Sequence, residues 1–159
     1  MASKVPALID YLVALFTNAA TLGAATPPVA VYDGPVTTAS ADKLILWVGL
    51  ADPDSIPPQP GATFEQSRAD MGSLTRDEVS VIRCAAEAWA GTDDLKTVRV
   101  AAFAIHAAAD ALVRADTSQF GGNAALAAPG ITGGELLQDN TQQGAVARVV
   151  FQITFRSFT

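Results

Sequence analysis

The stretch AVARVVFQITFRSFT, from Ala145 to Thr159, alternates with a period of two. Every odd position from Ala145 to Phe155 is apolar, while the even positions read Val146, Arg148, Val150, Gln152, Thr154 and Arg156. This is the pattern of a β-strand with one face in a core, and a slip of one residue would turn the whole apolar set to solvent. Such a long strand needs neighbours along its edges. Its second face is only half polar and calls for a cover of its own. A chain that contains such a strand folds around a sheet.

The rest of the sequence supplies partners for that sheet. Ser3 is the expected cap of a first helix, with Pro6 in the first turn and Val5, Leu8, Ile9, Leu12, Val13 and Phe16 on one face. Asn18 and Gly23 offer places to stop. Val29 to Tyr32, between Pro27-Pro28 and Asp33-Gly34-Pro35, reads as a short strand, and the apolar run from Leu44 to Leu50 as a buried one. Positions 79–90 fit a helix through Val79, Ile82, Ala86 and Trp89, and a strand through Ile82, Cys84, Ala86 and Ala88. The β-branched Val79, Val81 and Ile82 favour a long strand ending before Gly91. Thr92, Asp93 and Asp94 read as a cap with first-turn acids, opening a helix to about Ala115. Its expected buried stripe is Val98, Ala102, Ile105, Ala109 and Leu112. Leu136 and Leu137 belong to a further strand, and Gln142 to Gly144 form the turn into the last one. Between the glycine pairs Gly121-Gly122 and Gly133-Gly134, a bent strand and a loop are both open.

Ala51 to Gly72 carries four prolines and shows no periodicity, which reads as a long loop. Helix, strands, loop, strand, helix, strands is the order of one α+β domain over residues 1–159, with a mostly antiparallel sheet and two helices packed on one face.

Ten Lys and Arg against sixteen Asp and Glu leave a net charge of -6, and the arginines are scattered, so no basic stripe awaits a phosphate backbone. One cysteine, Cys84, excludes an internal disulfide and a multi-cysteine metal site. The first apolar stretch is broken by Asp10, which reads as neither signal peptide nor membrane span and suits an intracellular, reducing setting. His106 stands alone among alanines without a G-x-S-x-G turn for a triad. Asp52 and Asp54 flank Pro53 without the further oxygens that calcium requires. The glycines form neither G-x-x-x-x-G-K-[ST] nor G-x-G-x-x-G. No catalytic, cofactor or metal constellation is expected, which favours a binding or structural role.

Several stretches in order carry a resemblance: VPALIDYLVALF, then VYDGPV followed by DKLILWVG, then RDEVSVIRCAAEAWAGTDDLKTVRVAAFAIHAAADALVRAD, and finally FGGNAAL with GAVARVVFQITFRSF. Together they resemble the tail terminator proteins of long-tailed bacteriophages, the lambda gpU-like family. The resemblance implies a virion protein, assembled in the host cytoplasm, that forms a hexameric ring on the head-proximal end of the tail tube. Such a ring stops tube growth, meets the tail tube protein, and offers the docking surface for the head-tail connector. DNA would pass through it without specific binding, and no membrane is involved. A different neck, head-completion or minor tail protein is the alternative within this class; a small-molecule-binding or enzymatic α+β domain is the alternative outside it.

Ring closure needs one patch of each subunit to meet a different patch of the next. The candidate interface residues come from the loop (Asp52, Asp54, Phe64, Arg68 and Met71), from the mixed face of the last strand (Arg148, Gln152 and Arg156), and from Phe120 and Leu136.

Overall fold

A computed structural model describes residues 2–36, 41–68, 75–124 and 130–159. In chain order the elements are α1 (Val5–Thr17), α2 (Ala20–Gly23), β1 (Ala30–Asp33), β2 (Leu44–Val48), β3 (Ala62–Arg68), β4 (Arg76–Trp89), α3 (Leu95–Ala115), α4 (Gln119–Gly122), β5 (Gly130–Thr141) and β6 (Gly144–Phe158). The sheet is six-stranded in the order β1-β2-β4-β6-β5, with β3 also paired to β4. Only β1 and β2 run parallel; every other pair is antiparallel. This is the expected α+β architecture, with two single-turn helices beside the two long ones.

The last strand keeps its period. Ala145, Ala147, Val149, Phe151, Ile153 and Phe155 all enter the main core. Opposite them β4 contributes Ile82, Cys84, Ala86 and Ala88, in register Ile82↔Ile153 through Ala88↔Ala147. Both long helices close this same face, α1 with Leu8, Leu12 and Phe16 and α3 with Val98, Ala102, Ile105, Ala109 and Val113. Each large side chain placed there contributes about 1.5–3 kcal/mol from apolar burial. Small residues on both sides, Ala102 and Ala109 above Ala86, Ala88 and Ala147, permit a close helix-on-sheet approach. The other sheet face carries a smaller cluster of Ile45, Trp47, Leu50, Ala85 and Val150, with Tyr32 packed against it.

The ambiguous positions 79–90 form strand through Trp89. Their mixed signal has a physical source: Ala85 and Cys84 are both fully buried on opposite faces, so the period of two is lost in the middle of the strand.

Four details differ from expectation. Ser3 lies one residue before the cap position, which Lys4 occupies without a side-chain bond; the Ser3 hydroxyl instead accepts from Val5 N–H and donates to Glu78. In α3 the cap is Asp94 rather than Thr92, because the Asp94 carboxylate accepts from both the backbone N–H and the hydroxyl of Thr97. The last buried position of α3 is Val113, with Leu112 partly buried beside it, since the stripe drifts at 3.6 residues per turn. The stretch read as a loop through Gly72 contains β3, paired to β4 from Ala62↔Ile82 to Arg68↔Arg76. It hides from a periodicity test because Phe64 is its only large apolar residue.

β2 and β3 lie end to end along the same edge of β4, β2 against residues 84–88 and β3 against 76–82. The proline-rich segment is thus an excursion between two collinear strands. It re-enters at Gly61, where a Cβ would fall 2.3 Å from the Gly49 carbonyl oxygen, so only glycine fits this crossing.

Candidate functional site

Residues that face one another across the strands fix which candidate sits where. Phe64 pairs with Ser80, and Ser80 points into the helix-covered face, so Phe64 lies on that side of β3. It is 54% exposed. Leu136 pairs with Val149 and therefore lies on the same side of β5, at the opposite margin of the sheet, 38% exposed. Arg68 is exposed at the end of β3. Two candidates from distant parts of the chain thus mark two of the three outer strands, β3 and β5, on a common face, with β1 the third. Among the described residues no backbone group pairs with the outer edge of either β3 or β5.

The candidates of the last strand face the other way. Arg156 makes a bidentate pair with Asp77, its Nε donating at 3.0 and 3.1 Å, and this hydrogen bond holds the Asp77 carboxyl below the usual carboxylate range. Arg148 is committed to Glu87, with Nε donating at 2.5 Å; the buried Glu87 also accepts from the Trp89 indole. Gln152 is exposed on the floor of a groove of about 350 Å³, bounded by Thr63 and Arg83 on one side and Thr132 and Glu135 on the other. Arg83 spends one donor on the Leu50 carbonyl at 2.9 Å.

Asp52 and Asp54 are exposed on the proline-rich excursion. That segment is braced by reciprocal backbone bonds between Asp52 and Gln59, and by the Ser55 hydroxyl, which lies 2.9 and 2.8 Å from the Asp52 and Pro57 carbonyls. Ile56 at its tip is 100% exposed, a surface residue that a hydrophobicity pattern gives no reason to select. Met71 lies outside the described residues.

Phe120 overturns its expectation. It is wholly buried, edge-on to Phe155 at 4.9 Å and to Tyr11 at 5.5 Å, and so out of reach of a neighbour. Its glycine-rich surroundings serve to bend the chain: Asp116 accepts from the N–H groups of Ser118 and Phe120, and Gln119 and Phe120 adopt positive φ.

The isolated His106 and Cys84 are packed against the core. His106 packs edge-on to Phe151 at 4.9 Å, and burial pulls its pKa down against the opposing pull of Asp110. Cys84 is wholly buried, and that burial pushes its thiol up to about 12. The native protein should therefore leave Cys84 unmodified by a thiol reagent at pH 8, with labelling only in denaturant. Rapid labelling of the folded chain would contradict the burial. Among the described residues, no group of three or more His, Cys, Asp or Glu is placed to hold a metal ion, and no helix is long and apolar enough to cross a membrane.

Compared with known proteins, the chain matches no family model, and no curated protein is similar enough to count as a relative.

Proposed function

We propose that this chain is a structural virion protein, a tail terminator subunit that forms a hexameric ring on the head-proximal end of a phage tail tube. In this reading the ring stops tube polymerisation and presents the docking surface for the head-tail connector. The observation that carries the assembly part is the pair of strand edges, β3 and β5, that no other strand pairs among the described residues. A heterologous contact that closes into a ring requires two different patches on one subunit. A long bare edge is otherwise a liability that proteins blunt with Lys, Pro or a covering segment. β5 contains neither Lys nor Pro along its 12 residues, and its own devices are a bulge between Thr132 and Gly134 and the acids Glu135 and Asp139. The terminator part rests on the sequence resemblance. The net charge of -6 suits a ring whose channel lets DNA slide without gripping its phosphates.

Deleting the gene and imaging the tails by electron microscopy tests the reading. Overlong tails, or tails without heads, are expected. Tails of normal length joined to filled heads would overturn it.

A further inference from the structure

We infer that copies of this chain lock together through the proline-rich excursion: Ile56 at its tip enters the groove on the bare sheet face of the next copy, where the Asp54 carboxylate meets Arg83. This names the contact within the proposed assembly and rests on that reading.

Both limbs of the excursion are rooted on one residue of β4. Leu50 N–H donates to the Arg83 carbonyl at 2.9 Å, and Arg83 N–H donates to the Gly61 carbonyl at 2.8 Å. The ladder carries that row across the sheet, from Arg83 to Gln152 and from Gln152 to Thr132 on β5. The groove lies on the same row, with Gln152 on its floor and Thr132 on its far rim. Knob and groove thus stand at one height along the strands. The excursion rises where β2 and β3 abut, and its return limb, Gln59 and Pro60, forms the near wall of the groove on the bare side. Rotation about an axis along the strands preserves height and keeps the bare face on one side. It therefore brings the excursion of one copy against the β5 rim of the next. At that rim the strand bulges between Thr132 and Gly134, and Gly133 and Gly134 bring no side chain to the wall, which leaves a gap for entry.

Shape and charge fit the same contact. Ile56 is fully exposed, so it does not occupy the groove of its own chain. The segment that carries it is already held by the Asp52–Gln59 backbone pair, by Ser55 and by Pro57 and Pro58, so docking it costs little further ordering. Val81 and Val150 give the groove an apolar floor for the aliphatic side chain. Arg83 is the one base lining the groove, and among the described residues it spends a single donor, on the Leu50 carbonyl. Its remaining fork suits a carboxylate. The excursion supplies Asp52 and Asp54 and no base. Glu135, the one acid of the groove, stands on the β5 rim and turns those acids inward, toward Arg83.

Disulfide trapping tests the contact, since Cys84 is buried and Ile56, Gln152 and Asp139 are all exposed. Ile56→Cys and an affinity-tagged Gln152→Cys, purified separately, are mixed at high concentration and oxidised. Ile56→Cys with Asp139→Cys is the control, because Asp139 lies on the same margin but on the row of Val146, away from the groove. Linked heterodimers about ten-fold above the control are expected. Asp54→Lys in the Ile56→Cys chain should lower the yield about ten-fold, and Arg83→Glu in its partner should restore it. One chain carrying both Ile56→Cys and Gln152→Cys should give a ladder of linked copies beyond the dimer, as a side-by-side contact requires. A yield no higher than the control, or a double variant that stops at a reciprocal dimer, would overturn the contact. So would a yield indifferent to Asp54→Lys. Circular dichroism establishes that each variant is folded before mixing, and the control and the ladder decide the matter if Arg83→Glu does not fold. The two readings fail separately. A ladder with normal tails in the gene deletion leaves the contact and removes the terminator role, whereas overlong tails without links remove the contact alone.

Discussion

Replacing Phe120 with alanine should lower the unfolding free energy by about 3–5 kcal/mol, the range for emptying a buried phenylalanine site. The ring is wholly buried between Tyr11 of α1 and Phe155 of β6, so the loss combines the transfer of the ring with the cavity it leaves. Collapse of that cavity is resisted from both sides, by the helix and by the sheet. Backbone relief offers little compensation. Phe120 sits at φ +53° and ψ +51°, where alanine carries the same Cβ penalty, and Asp116 holds the turn in place by accepting from the Phe120 N–H at 2.9 Å. Chemical denaturation followed by fluorescence or circular dichroism measures the change directly. A fall of less than 1 kcal/mol, with self-association abolished, would return Phe120 to the interface and displace it from the core.

What was legible in the sequence follows the physics of burial. β6 is legible because its two faces differ: one is apolar from Ala145 to Phe155, the other carries Arg148, Gln152 and Arg156. α1 and α3 could be read because each buries one stripe. β4 was harder, since its central residues are buried on both faces and a two-sided strand has no period. β3 leaves no trace in the sequence pattern. Its neighbours support only one edge and it adds little to the core, so selection for apolar alternation is weak there. The burial of Phe120 is hidden for a related reason: the glycines beside it look, in sequence, like an exposed loop.

The candidate surface was legible in part. Phe64 and Leu136 stand out as apolar residues in polar or glycine-rich company, and both lie exposed on strands that, among the described residues, pair on one side only. Their relation to each other depends on the sheet order, which no local signal contains. The arginines of β6 look alike in sequence but are tied to Glu87 and Asp77 within the chain. The sequence neighbours Asp77 and Glu78 look equally alike as acids. Once 76–89 is a strand, the period of two sends them to opposite faces, Asp77 out to Arg156 and Glu78 in beneath α1.

That inward turn buries the Glu78 carboxylate among donors from three segments of the chain. Its carboxylate is wholly buried, with Oε1 accepting from Ser3 Oγ, Lys4 N–H and Ser80 Oγ and Oε2 from Gln66 at 2.6 Å. Burial alone would raise its pKa; the hydrogen bonds from Gln66, Lys4, Ser3 and Ser80 outweigh it and hold the carboxyl below the usual glutamate range. A carboxyl whose folded value lies below its unfolded one stabilises the protein above the unfolded value and loses that contribution as pH falls through the folded value. Stability should therefore decline from about pH 5 downward. Glu78→Gln should flatten that decline relative to the parent, with Asp77, Asp94 and Asp116, whose pKa values are also lowered, retaining theirs. At neutral pH the same substitution should cost about 1–3 kcal/mol, the desolvation penalty of a buried polar group left unpaired. The Gln66 amide cannot simply rotate to accept the new donor, because its carbonyl already accepts from Arg76 at 3.1 Å, and turning it would set its NH₂ against the guanidinium. Glu78→Ala should cost more, about 2–4 kcal/mol, by leaving several donors without an acceptor. Gln66 belongs to β3, so the same bonds anchor the start of α1 to the strand that presents Phe64. Hydrogen exchange should find β3 loosened first when the pH is lowered in the parent and loosened already at neutral pH in Glu78→Ala. Unchanged protection of residues 62–68 in the alanine variant, or an acid limb as steep in Glu78→Gln as in the parent, would show that Glu78 does not hold this edge in place.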